Sequence, residues 1–508
     1  MKPFYITTPI YYINAAPHIG HAYTTIAADI LARTLRLQGR QVHFLTGTDE
    51  HGLKIEKAAA EAKLSPKEYA DGIASQFRDL WKALDIQPDD FIRTTEPRHE
   101  ETVRSAFAAL LKSGDIYKGR YRGFYCVSDE TFWTEKETLP GPGGAKLCPN
   151  PDCKRPLERV EEESYFFKLS RYGDRLLSHY DAHPEFLSPS SRASEMKNFV
   201  KAGLQDISVS RAKVKWGVPV PGDESHTVYV WFDALLNYLA AADSKDASLW
   251  PADVHIVGKE IYRFHSVVWP AMLMALGRKL PGKVFAHGWW TVEGEKMSKS
   301  KGNFVDPLAV TKDFGVDAFR FFLFREMPFG QDGDFSIASL KRRYNADLAN
   351  DLGNLLNRAS DMAIRYLDGA IPESLGERDF IEREKMAQLS SAISNAIEGL
   401  DFSSALATIW SEIGRLNRLV NERAPWEVAK TDREKAGEIV ADILWGLRVI
   451  GSWIEPFMPA AAAKLRSRIG SPRMPMLAKL GDQRRPQDAL PQSPGRVSKG
   501  EPLFPRKA

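Results

Sequence analysis

Cysteine is scarce, with three in 508 residues. An odd count cannot close an even disulfide framework, so a reducing compartment, the cytoplasm, is the expected location. Long apolar runs are missing as well. Nothing approaches the roughly 20 residues that a membrane-spanning helix needs, and no membrane partner is expected. Met1-Lys2-Pro3 leads at once into an apolar stretch, leaving no room for a signal peptide. Excess charge is small: a net +3 permits local basic patches without demanding nucleic acid as a partner. What is there, 43% hydrophobic and 27% charged residues, is the mixture of a globular protein with a sizeable core. The length suggests about three domains.

The chain opens with alternating strand and helix patterns. Residues 4–11 read as a strand. Residues 22–37 carry apolar side chains at helical spacing (Ile26, Ile30, Leu31, Leu35), so a helix should start near His21. Residues 42–49 read as a second strand ending in the polar turn Asp49-Glu50-His51-Gly52. Such alternation predicts an α/β fold, a Rossmann-type parallel sheet whose ligands sit at the carboxyl ends of its strands. Residues 119–222 are rich in Gly, Pro and charge, hold all three cysteines and read as an insertion. Strand patterns return at 228–233, 254–259 and 283–288. From about Ile337 they give way to apolar helical repeats, an all-α bundle. The Pro-, Arg- and Gln-rich end reads as an extended or disordered arm. The expected division is a sheet domain in two halves, 1–118 and 223–292, around the insertion 119–222. A loop segment 293–336, the bundle 337–465 and a tail 466–508 follow.

Two short motifs carry chemistry. Ala16-Pro17-His18-Ile19-Gly20-His21 falls at a strand-to-helix turn, where free N–H groups and the helix dipole favour phosphate. Its imidazoles make the turn cationic or donor-rich, and Gly20 lets a nucleotide approach the backbone. Far downstream, Lys296-Met297-Ser298-Lys299-Ser300 reads as a loop that opens and closes between Gly294 and Gly302. Its lysines can reach phosphates as point charges. Either motif alone would be a solvated loop. Together they resemble, letter for letter, the two signatures of the class I aminoacyl-tRNA synthetases, and finer matches point to the methionyl members. The resemblance runs from about Phe4 to about Pro459.

It implies activation of methionine by ATP, presented with Mg²⁺, to methionyl-adenylate and pyrophosphate, then transfer of methionyl to the 3'-terminal adenosine of tRNA(Met). The attacking carboxylate is already an anion. No general base is needed, and the protein must position both substrates and neutralise phosphate charge. His18, His21, Lys296 and Lys299 are the implied catalytic groups. With Gly20, Gly258, Glu260, His287 and Gly288 they form the ATP site. Ile10, Tyr12, Asp49, Trp231, Ala234, Leu235, Tyr238 and His265 match the methionine site. There aromatic edges suit a thioether, Asp49 holds the amino group, and His265 donates to sulfur with Tyr12 orienting it. Leu235 stands where some relatives have proline. Asp49 could equally cap the next helix, and any one aromatic could be core. Cys126, Asp129, Cys148 and Cys153 resemble a structural zinc knuckle or a degenerate one without metal. In the bundle, Asn350, Asn354 and Arg358 at i, i+4, i+8, with Trp426 at a helix start, match an anticodon reader; the alternative makes Trp426 core.

A Leu, Ile or Val synthetase would carry a larger editing insertion, and a cysteinyl enzyme would carry zinc ligands at the active rim. A catalytically silent tRNA-binding protein would not need both motifs intact. A monomer is the default expectation.

Overall fold

The computed structural model describes residues 2–14, 16–128, 131–133, 135–150, 153–212, 214–292, 294–296, 305–370, 380–471 and 495–507. β1 (Phe4–Tyr12), α1 (Ile19–Leu37), β2 (Val42–Asp49), α2 (Leu53–Glu61), α3 (Pro66–Ala83), β3 (Asp90–Arg93) and α4 (Pro97–Ser113) alternate as the patterns predict. Six parallel strands form one sheet in the order β3, β2, β1, Val254–Gly258, Val284–His287, Leu187–Ser188. Tyr5, Ile6, Phe44 and Leu45 are fully buried, as strands covered on both faces require. The chain winds from β1 to β2 on one side, while Val254–Gly258 lies on the other. That reversal opens a crevice at the carboxyl end of β1. Tyr12 pairs directly with Asp49 there.

Three readings of the sequence change. Residues 228–233 are not a strand of the main sheet. Asp223–Val228 belongs to a small antiparallel sheet, and Val230–Leu235 is a helix. A short apolar run buried all round has no period to tell the two apart. The span 119–222 is not wholly an insertion. Ile116–Cys126 and Glu158–Phe167 do form a separate antiparallel ribbon. Leu187–Ser188, however, returns to pair with Val284–His287 at the sheet edge; two residues are too few to leave a pattern. The tail docks in part. The helix Pro459–Arg468 crosses its expected boundary, and Val497 and Phe504 are buried against the bundle.

Among the described residues, the elements from Ile337 to Arg468 are all helices. The bundle is bolted to the sheet domain by Arg320, which is fully buried. It donates to the Asp29 carboxylate on α1 at 2.6 Å, to the Leu84 carbonyl at 3.1 Å and to the Phe457 carbonyl at 3.0 Å. No described helix is long and apolar enough to cross a membrane.

Candidate active site

The crevice is a cleft of about 380 Å³. Fifteen of the expected ATP- and methionine-site residues border it: Ile10, Tyr12, His18, Gly20, His21, Asp49, Trp231, Ala234, Leu235, Tyr238, Gly258, Glu260, His265, His287 and Gly288. They come from the ends of β1 and β2, the start of α1, the helices near 230–238 and the ends of the two strands beyond β1.

α1 begins at Ile19 rather than His21, because His18 is its cap. The His18 Nδ1 accepts from the Gly20 N–H at 3.0 Å, and the His21 Nδ1 accepts from the His18 N–H at 3.1 Å. The rings stack 3.8 Å apart. With each Nδ1 an acceptor, the proton of each neutral ring sits on Nε2. Burial, and then the neighbouring His18, hold His21 well below its ordinary pKa. The cradle is therefore donor-rich rather than cationic. A Cβ on Gly20 would lie 2.9 Å from the His18 ring, so this glycine makes room for the stacked cap.

Across the cleft, the His287 Nδ1–H donates to the Gly288 carbonyl at 2.7 Å, and its Nε2 accepts from the Thr24 hydroxyl at 2.7 Å. A Cβ on Gly288 would stand 2.2 Å from the Gln331 carbonyl oxygen, so only glycine fits there. Glu260 accepts from the Trp289 indole at 2.6 Å.

The amino-acid end is aromatic. Trp231 lies flat on Phe264, centroids 3.9 Å apart. His265, in the π-helical turn Phe264–Val268, donates its Nδ1–H to the Ile261 carbonyl at 3.0 Å. Its Nε2, 2.7 Å from the Tyr238 hydroxyl, therefore accepts from it. Burial pushes its pKa down to about 4, so it stays neutral. The expectation that His265 donates to sulfur is corrected: both ring nitrogens are engaged, and the ring orients Tyr238. Asp49 is not a helix cap, since α2 caps on Gly52 without a side-chain bond.

Lys296 lies on a two-residue strand paired with Trp290–Val292, itself beside the cleft. Lys299 and the rest of its loop lie outside the described residues. Sequence reasoning missed Thr24, one turn beyond Gly20 on α1, and Lys54, whose ammonium sits 5.6 Å from the Tyr12 ring centre. Helical spacing from Gly20 would have found the first, and the first turn after Asp49 the second.

The anticodon candidates lie elsewhere. Asn350 falls in a π-helical stretch, Tyr344–Gly353, which interrupts the single α-helix that the spacing suggested. Asn350 and Asn354 are exposed. Arg358 donates to the Asn421 side-chain oxygen at 2.8 Å, and its guanidinium stands 5.5 Å from the Trp426 ring centre. Trp426 is 37% exposed, so it is not a core residue. The Sγ atoms of Cys126, Cys148 and Cys153 lie within 4.8 Å of one another, Cys126 and Cys153 at 3.4 Å. Tetrahedral zinc with bonds of about 2.3 Å sets its sulfurs about 3.8 Å apart, so the trio fits that ion. Asp129 lies outside the described residues.

Known proteins resemble the chain along its length. Residues 4–360 match the model for tRNA synthetases class I (M), and residues 374–491 match the anticodon binding domain of methionyl tRNA ligase. A methionine–tRNA ligase of Caldanaerobacter subterraneus is 50% identical over 99% of this chain and 79% of its own. One of Thermotoga maritima is 44% identical over 99% and 80%. The solved Mycobacterium tuberculosis methionyl-tRNA synthetase in complex with methionyl-adenylate superposes with a TM-score of 0.90, at 40% identity and full coverage of both chains.

Proposed function

The chain belongs to the methionyl-tRNA synthetases of class I and joins methionine to tRNA using ATP, and on that premise we propose which residues carry each step. In the first step the methionine carboxylate attacks the α-phosphorus of ATP, and pyrophosphate leaves with the pair from the broken P–O bond. The Nε2–H groups of His18 and His21 donate to the phosphate oxygens as charge builds on them. Lys296 and Lys299 neutralise the departing pyrophosphate, and Mg²⁺ arrives with ATP. Thr24 and Gly288 fix His287, and Gly258 and Glu260 border the ribose. In the second step the 3'-terminal adenosine hydroxyl of tRNA(Met) attacks the carbonyl of methionyl-adenylate and releases AMP.

Asp49 holds the methionine ammonium. Ile10, Tyr12, Ala234 and Leu235 wall the side chain, while Trp231, on its Phe264 platform, and Tyr238, oriented by His265, present aromatic edges to the thioether. Such contacts are worth about 0.3–1.5 kcal/mol each. The observation that carries this reading is the convergence of the histidine cap and the aromatic pocket on one cleft. Trp231→Ala tests it in methionine-dependent pyrophosphate exchange. KM for methionine should rise at least about 10-fold with KM for ATP little changed; an equal rise in both would make Trp231 a packing residue.

Trp426, Arg358, Asn354 and Asn350 read the anticodon, an exposed ring stacking one base while amides and guanidinium meet base edges. Cys126, Cys148 and Cys153 would hold a structural zinc, with Asp129 as the fourth ligand; such an ion ties the ribbon's ends together. The cleft is built by one chain, which favours a monomer. Three close cysteines that are in no disulfide favour a reducing cytoplasm.

A further inference from the structure

Behind the amino-acid end of the cleft lies a buried cluster that touches no expected substrate position. Asp233 is fully buried. One carboxylate oxygen accepts from the His51 Nδ1–H at 2.6 Å, and the other accepts from the His99 Nε2–H at 2.7 Å. The three residues come from three elements: the helix Val230–Leu235, the turn after β2, and α4.

Asp233 and His51 each sit behind a wall of the cleft. Asp233 shares its six-residue helix with Trp231, Ala234 and Leu235, which border the cleft. Two residues of helix turn through about 200°, so Asp233 points away from the face that carries Trp231. His51 follows Asp49, another cleft residue, by two positions. A helix this short has almost no stability of its own. The side chain of Tyr229, its N-terminal cap residue, does not cap it. Its back is gripped by the Asp233 bridge and by Phe232 against the Phe107 ring of α4 at 5.5 Å.

The turn is gripped too. Glu50 takes Arg93 on both oxygens, at 2.6 and 2.9 Å. The Trp216 indole donates to the Glu50 carbonyl at 2.6 Å, and the Gly52 N–H donates to the Trp216 carbonyl at 3.0 Å. The Asp233 carboxylate then joins two braced walls. Both of its oxygens are used, so it holds their spacing from two directions.

We propose that Asp233 is a positioning residue for the amino-acid site, bridging His51 and His99 so that the gap between Asp49 and Trp231 fits methionine. The histidines need only donate one N–H each, and no proton moves during the reaction. This rests on the reading of Trp231 and Asp49 as methionine contacts.

Asp233→Asn keeps the size but offers one acceptor and one donor, so both imidazoles can no longer donate to it. In methionine-dependent pyrophosphate exchange, KM for methionine should rise about 10-fold or more and KM for ATP stay within about 2-fold. Direct titration of methionine, read by intrinsic tryptophan fluorescence, should show the same loss without turnover. The paired variants His51→Asn and His51→Leu cover the case in which Asp233→Asn does not fold. The asparagine amide can stand in for the Nδ1–H and should keep the methionine KM near that of the parent, whereas leucine should raise it. A folded Asp233→Asn protein with parental methionine KM overturns the proposal, as do equal effects of asparagine and leucine at position 51. If Trp231→Ala raises the methionine KM while Asp233→Asn does not, the bridge alone fails. If neither does, the placement of methionine fails.

Discussion

The cleft and the face around Trp426 are built on opposite principles. In the cleft almost every functional group is already bonded before a substrate arrives: His18 and His21 cap α1, Thr24 holds His287, and Ile261 and Tyr238 hold His265. Around Trp426 the ring is exposed, Asn350 and Asn354 face solvent, and one bond from Arg358 to Asn421 supplies the order. The difference follows from the task. Phosphoryl chemistry gains from donors fixed where charge will develop, because no reorganisation is left for the moment of reaction. Single-stranded bases arrive flexible and are met by open stacking surfaces. Loss of a cleft group should therefore hit the chemical step, and loss of a surface group only the step that uses tRNA.

The sharpest break comes from His21→Ala. It should lower methionine-dependent pyrophosphate exchange by at least about 10²-fold and lower tRNA charging with it, the methionine KM changing less. Normal exchange would show that the stacked caps only start a helix.

The two regions were not equally legible in the sequence. The catalytic motifs are contiguous, so spacing alone placed His18, Gly20 and His21 at a strand-to-helix turn. The Rossmann alternation up to α4 followed from apolar periods. The helix under Trp231 was misread as a strand because six buried residues carry no period. The role of His265 was misassigned for a different reason: a sequence shows that an imidazole is present but not that both its nitrogens are taken. In the bundle, the i, i+4, i+8 spacing of Asn350, Asn354 and Arg358 gave a shared face but not the π-helical stretch that shapes it. Trp426 could not be sorted from a core tryptophan until its exposure was known.

Burial makes the cleft the acid-sensitive region. Its His21, His265 and His287 are held below their ordinary values, first of all by desolvation. Unfolded, each takes a proton near pH ~6.5; folded, it stays neutral. Their stabilising contribution is whole above that pH and is lost as pH falls, down to about 4 for His265. His51, raised by Asp233 against its own desolvation, runs the other way: its contribution is present below pH ~6.5 and lost as pH rises through its folded value. Three cleft groups oppose one, so the thermal midpoint should drop between about pH 6.5 and pH 4.5. A midpoint that holds or climbs over that range would contradict the assignment of neutral cleft histidines.

The smallest effect on either region is expected from the cysteine trio, Cys126 at the end of one ribbon strand and Cys148 and Cys153 between the two strands. Metal analysis of protein prepared without chelator should find near one zinc per chain, and Cys148→Ser should lose the metal and lower the thermal midpoint. Less than about a tenth of an equivalent would leave a knuckle held by packing alone.

The division between a fixed cleft and an open reading face is tested most directly by measuring two reactions of Trp426→Ala side by side. Charging of tRNA(Met) should lose about 10- to 10²-fold in kcat/KM, because a stacked base is worth about 1–3 kcal/mol. Methionine-dependent pyrophosphate exchange should stay at the parental rate, and the loss should vanish on a minihelix without an anticodon. If exchange and charging fall together, Trp426 supports the fold and the two regions are not separate.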